Sequence, residues 1–129
     1  ANESICLKYY RYMQAIKSNR NNDAAYDEIG SILYNEGRYE EAIQYFNDAI
    51  RIDPNCGIYY RSKGDALCKL ERKEEAMDCF KAAIRIDPND DLAINFIGYV
   101  LYFEERFEDA IKCFNDAIRI NPDNANYYW

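Results

Sequence analysis

The residues that most resemble a catalytic set are the carboxylate pairs Glu40-Glu41, Glu74-Glu75 and Glu104-Glu105. Two carboxyl groups share acid–base work only when both reach one substrate atom. Neighbours on a helix point ~100° apart, so these pairs diverge and read as helix-terminal charge on a solvated face. The acidic run Asp87-Pro88-Asn89-Asp90-Asp91 suggests calcium, but it lacks the glycine and the distal bidentate Glu of an EF-hand loop. Five cysteines, Cys6, Cys56, Cys68, Cys79 and Cys113, form no C-x-x-C pair, so zinc-ribbon and thioredoxin-type sites are missing. The chain contains no histidine, which removes Ser–His–Asp and Cys–His nucleophilic sites and histidine–metal chemistry. The five glycines are isolated, so no phosphate-cradling loop exists. The sequence therefore offers no catalytic, cofactor or metal-ligating residue, and the expectation is a protein that is not an enzyme.

Its bulk properties narrow the partners. The 129 residues are 49 % hydrophobic and carry a formal net charge of −7. Nucleic acid and anionic membrane surfaces need a basic face, so neither is expected as a partner. No apolar run approaches the ~18 residues of a membrane span, and no signal-peptide pattern opens the chain. An odd cysteine count points to reduced thiols, hence the cytoplasm or another reducing compartment. Asn2-Glu3-Ser4 matches a glycosylation sequon only weakly. A start at Ala1 and a stop at Tyr127-Tyr128-Trp129 suggest a piece of a longer protein.

What positions these residues is an internal repeat of 34 residues. Glu40-Glu41-Ala42-Ile43 returns as Glu74-Glu75-Ala76-Met77 and as Glu108-Asp109-Ala110-Ile111. Ala49-Ile50-Arg51-Ile52-Asp53-Pro54 returns as Ala83-Ile84-Arg85-Ile86-Asp87-Pro88 and as Ala117-Ile118-Arg119-Ile120-Asn121-Pro122. Gly30, Gly64 and Gly98 keep the step, as do Phe46, Phe80 and Phe114. The chain divides into an N-terminal helical segment 1–22, repeats 23–56, 57–90 and 91–124, and the start of a further helix at 125–129.

Each repeat predicts two helices, about 23–36 and 39–52 in the first. Asp23 and Asp91 are candidate N-caps, with Gly57 a poorer one. Arg38, Arg72 and Arg106 precede the second helices, and acidic residues fill their first turns where the helix dipole favours them. Pro54, Pro88 and Pro122 end those helices. Glycine inside a helix costs ~1 kcal/mol relative to Ala, so three at one spacing need a packing reason. The expectation is close backbone approach of Gly30 to Ala42, Gly64 to Ala76 and Gly98 to Ala110, with the phenylalanines filling the gap beside them. Cys79 and Cys113, 34 residues apart, read as packing positions.

Tyr26, Ile29, Gly30, Leu33, Ala42, Phe46, Ala49 and Pro54, with their counterparts one and two repeats on, resemble the tetratricopeptide repeat family over residues 23–124. Departures are small: Lys63 replaces the apolar residue found as Ile29 and Ile97, and Ile94 replaces an aromatic. The resemblance implies an all-α, right-handed superhelical solenoid of antiparallel helix pairs whose first helices line a concave groove. It implies a non-catalytic scaffold that binds a protein or peptide segment there. On the family's geometry the groove positions are Asp27, Ser31, Tyr34 and Asn35, then Arg61, Ser62, Asp65, Cys68 and Lys69, then Leu92, Asn95, Phe96, Tyr99 and Tyr102. They grade from acidic-polar to aromatic, and Asp27, Glu28 and Asp65 favour a basic or polar stretch of partner. The aromatic wall has two readings, anchor sites for apolar side chains or packing against a following helix.

Co-chaperone members of the family hold heat-shock chaperone carboxylates with Lys, Asn and Arg. Here those places hold Asp27, Ser31, Ser62, Leu92 and Phe96, so that carboxylate clamp is not expected. In 1–22, Tyr12, Ala15 and Ile16 fall in the places of Phe46, Ala49 and Ile50, predicting one helix over 4–18. At the other end no polar capping helix follows the last repeat. Ile111, Phe114 and Ile118, with Trp129, are therefore expected as a partly bare stacking face and a possible homodimer contact. The alternative function is a structural or self-associating segment of a longer array with no specific groove ligand.

Overall fold

The computed structural model describes residues 4–124. Within them lie seven α-helices: α1 (Ile5–Ser18), α2 (Asp23–Asn35), α3 (Tyr39–Ile52), α4 (Gly57–Lys69), α5 (Lys73–Ile86), α6 (Asp91–Phe103) and α7 (Phe107–Ile120). α2 pairs with α3, α4 with α5 and α6 with α7, and each pair stacks on the one before, the all-α solenoid expected. α1 occupies the predicted place and packs Tyr9, Tyr12, Met13 and Ile16 against the core. Trp129 and the rest of the predicted helix start at 125–129 lie outside the described residues.

The caps differ from expectation by one residue. Asn22 and Asp90, not Asp23 and Asp91, hold non-helical backbone and accept the N–H groups of Ala25 and Ala93, each at 3.1 Å. A cap must stand outside the helix to reach the third N–H within it. Asp23 and Asp91 are freed for bonds to other elements: Asp23 accepts from the Tyr59 hydroxyl at 2.6 Å, and Asp91 from the Asn121 and Asn124 amides. Cys56 caps α4 without a side-chain bond.

Each corner between paired helices is built one way. The Arg38 N–H donates to Leu33 C=O and the Gly37 N–H to Tyr34 C=O, the two closing bonds of a Schellman turn. Gly37 has φ +79° there, and Glu71 and Glu105 hold the same left-handed conformation at 59° and 62°. Arg38, Arg72 and Arg106 are thus the last residue of one turn and the N-cap of the next helix. Their guanidiniums reach Glu41, Glu75 and Asp109 in that helix's first turn.

The core is a row of phenylalanines. Phe46, Phe80 and Phe114 are 1 %, 0 % and 3 % exposed. The glycines opposite them serve these rings rather than backbone contact with alanine. A Cβ built on Gly30 would lie 2.5 Å from Phe46 Cε1, on Gly64 2.6 Å from Phe80 Cε1, and on Gly98 2.7 Å from Phe114 Cε1. Cys79 joins this core and Cys113 packs beside Phe114, as packing positions should. The seams between pairs are unequal. Ile43 is buried where α3 meets α4, whereas an open cleft of about 390 Å³, lined by Met77, Ile97 and Leu101, lies along the seam of α5 and α6.

Candidate binding groove

The backbones of successive first helices, α2 with α4 and α4 with α6, approach one another more closely than those of successive second helices, α3 with α5 and α5 with α7. Unequal spacing of that kind curves the stack and places α2, α4 and α6 on its inner side. Along this face the structure brings Ser31, Tyr34 and Asn35 of α2 together with Ser62 and Asp65 of α4. They enclose a cavity of about 250 Å³ with Phe46 at its base. The Tyr34 hydroxyl donates to Asp65 Oδ1 at 2.9 Å and ties the two helices together across it. Burial pushes the Asp65 carboxyl up, against the opposing effects of that hydrogen bond, Lys69 and Arg61.

Arg61 is turned away from the cavity's acids. Its Nη1 donates to Asp90 Oδ1 at 2.7 Å, and the Asp90 side chain is only 4 % exposed. Asp90 therefore caps α6 and holds Arg61 with one carboxylate. Asp27 is left with a buried oxygen, Oδ1, that has no hydrogen-bond partner. Burial first, then the neighbouring Glu28, raises its carboxyl from 3.8 to about 6, although Arg61 pulls the other way. Lys69 stands exposed at the end of α4, and burial pushes the nearby Cys68 thiol up to about 11.

The aromatic end divides between packing and surface. Asn95, expected on the groove, is 2 % exposed and belongs to the interior, because α6 turns that position toward its neighbours. Phe96 stacks on Phe80 with centroids 5.1 Å apart and planes within 3°, so one of its faces is spent on the core. Tyr99 meets Phe103 edge-on at 4.7 Å. Tyr102 packs edge-on to Phe103 and Phe107, and all three are exposed. Lys73 Nζ lies 5.2 Å from the Phe103 ring. Phe103 and Phe107 were not among the expected site residues. Their signal was a second and third aromatic beside Tyr102, where the first repeat has Asn35 and Tyr39.

On the expected stacking face Ile111 is exposed and Ile118 partly so, but Phe114 is not bare. Its ring points inward against Gly98, the position that Phe46 and Phe80 occupy in their own pairs. Among the described residues no group of side chains is placed to hold a metal ion, and no helix is long and apolar enough to cross a membrane.

A stack of short antiparallel helix pairs at a 34-residue step, curved with first helices inside, defines an α-solenoid. Tetratricopeptide repeat profiles match residues 11–56, 28–91 and 98–129, and the chain belongs to the tetratricopeptide repeat family. It is 40 % identical over 45 residues to Protein O-mannosyl-transferase Tmtc3 of Drosophila melanogaster, and 35 % identical over 48 residues to TMTC3 of Mus musculus. The matches cover 35 % and 37 % of this chain and only 5 % of each of those proteins. Among solved structures, MamA superposes with a TM-score of 0.79 at 22 % identity, covering 88 % of this chain and 67 % of that one. The Arabidopsis OM64 TPR domain gives 0.77 at 21 %, covering 80 % and 85 %. The first TPR of Spaghetti (RPAP3), bound to the HSP90 peptide SRMEEVD, gives 0.76 at 19 %, covering 80 % and 82 %.

Proposed function

We propose that the chain is a non-catalytic protein-interaction module that receives a segment of a partner protein along the inner face of α2, α4 and α6. The supporting observation is the cavity shared by Ser31, Tyr34, Asn35, Ser62 and Asp65, a concave site built by two repeats at once. The RPAP3 domain holds an acidic peptide. Here Asp27 stands where a clamp needs a cation, so SRMEEVD itself is a poor ligand. The test is a peptide-phage selection on this chain, with winners titrated against wild type and Ser62→Phe, a change that fills the cavity. Loss of binding in a variant with unchanged circular dichroism supports the groove. Equal binding by both proteins refutes it.

A second reading draws on Ile111. At the same place in the repeat Ile43 is 8 % exposed and Ile111 is 54 % exposed, so α7 presents an uncovered stacking position. Self-association through that face, or a following repeat of a longer array, would cover it. Sedimentation equilibrium of wild type and Ile111→Glu decides the first option. A concentration-dependent dimer lost in the variant supports it, and a wild-type monomer throughout excludes it.

A further inference from the structure

We propose that the cavity between α2 and α4 is a receptor for one basic side chain, a lysine ammonium or an arginine guanidinium, carried by the partner segment. The inference rests on the groove reading above and adds the chemistry of its first subsite.

The lining decides the sign of the ligand. Asp65 is the one charged residue among those enclosing the cavity, and the others offer hydroxyls and a carboxamide over an aromatic base. Tyr34 occupies Asp65 Oδ1, and among the described residues Oδ2 accepts no hydrogen bond. One turn earlier on the same face of α2, Asp27 Oδ1 is buried without a donor. Arg61, whose charge acts on both carboxylates, is committed to Asp90 at 2.7 Å, and Lys69, which also acts on Asp65, stands exposed one turn further along α4 and makes no ion pair with it. α2 supplies no relief, since it carries Asp23, Asp27 and Glu28 and neither lysine nor arginine.

A buried acceptor without a donor is costly, and a cationic donor is the group that best satisfies a carboxylate. An anionic side chain would meet Asp65 in the cavity, with Asp27 one turn away on α2 adding to the repulsion. A neutral apolar one would desolvate Asp65 with nothing in return. The Tyr34 and Phe46 rings complement this charge, because lysine and arginine lay a methylene stem along apolar surface while the head group reaches polar atoms.

The probes are N-acetyl-arginine-N-methylamide, N-acetyl-lysine-N-methylamide and, as the uncharged control, N-acetyl-norleucine-N-methylamide. Each is titrated into the isotope-labelled chain, following the backbone amides of Ser31, Ser62 and Asp65 and the Asp65 carboxyl carbon by NMR. A saturable response to at least one cation and not to norleucine is expected, weakened about tenfold or more in Asp65→Asn. Asparagine keeps the acceptor for Tyr34, so the variant tests charge rather than fold, and its amide spectrum reports whether the helices are intact. No saturable response to either cation, or an equal response to norleucine, overturns the proposal. Phage-selected peptides separate the two claims. Peptides that bind the inner face with no basic residue required leave the groove reading standing and sink this one. Cations that bind at Asp65 when no peptide is selected do the reverse.

Discussion

A Cβ on Gly30 would sit 2.5 Å from Cε1 of Phe46, so the missing side chain of α2 is the space that the ring of α3 fills. Phe46 is 1 % exposed, so a Cβ there forces a buried ring to shift toward the cavity it lines. Gly30→Ala is therefore expected to destabilise by a net of up to ~2 kcal/mol. Overpacking costs ~1–3 kcal/mol, and the better helix propensity of Ala returns ~1. Urea denaturation measures it. In a Phe46→Leu background the penalty should shrink or reverse, and an undiminished penalty there would mean the ring is not its cause.

Asp27 gives the fold a pH dependence of unusual sign. Its carboxyl is raised from 3.8 to about 6, so between those values the folded chain holds a proton that the unfolded chain has released. Stability should fall as pH rises through that window and level off above it. A shift of that size corresponds to about 3 kcal/mol in a sealed site, but Asp27 keeps solvent contact, and ~1–2 kcal/mol is the expected loss. Asp27→Asn should flatten the profile and be the more stable protein at neutral pH. Thermal melts across the window check both, and a wild-type profile that rises instead would contradict the burial argument.

Glu71 and Glu105 hold left-handed backbone that Gly37 adopts without strain at the same corner of the first pair. Glu71→Gly and Glu105→Gly should each stabilise the chain by ~0.5–1 kcal/mol, while Gly37→Ala should cost a similar amount. These are among the few glycine substitutions expected to raise a melting temperature. A fall in either Glu variant would show that the glutamate side chain contributes more than its backbone costs.

Asp90 serves two partners, the Ala93 N–H and the Arg61 guanidinium. Asp90→Ala loses a cap worth ~1 kcal/mol and strands a partly buried cation, for an expected total of ~2–4 kcal/mol. Asp90→Asn keeps the cap and loses only the charge, so about half of that is expected. Adding Arg61→Met to Asp90→Ala should recover part of the loss in a double-mutant cycle.

The helix pairs, their proline stops and the phenylalanine row were legible because they recur at a fixed step, and any position confirmed once is confirmed in every repeat. What recurrence does not reveal is a bond between unlike positions. Tyr34 reaches Asp65, Arg61 reaches Asp90 and Tyr59 reaches Asp23, each across a seam and each present once among the described residues. The burial of Asn95 was hidden for a related reason, since an amide on a first helix reads as surface until its neighbours are placed. Phe114 was expected on a partly bare face although its own repeat position, shared with Phe46, already argued for the interior. Which of Asp23 or Asn22 caps α2 turns on a single residue's backbone angles, and adjacent Asn and Asp are chemically equal candidates.

The corner arginines and the unequal seams together make this chain a row of stiff links on hinges of different strength. The seam between α5 and α6 is open at the cleft yet pinned by the Phe80–Phe96 stack and flanked by the Arg61–Asp90 ion pair, so bending there would have to pivot about those contacts. Drawn out by its ends, the array would widen at that cleft, while the first two pairs are clasped through Ile43 and the Tyr34–Asp65 bond. The inner cavity lies within those two pairs, on one side of that pivot. The aromatic cluster around Tyr102 lies on the other side, so the span between the two ends of the groove would follow the angle of that pivot.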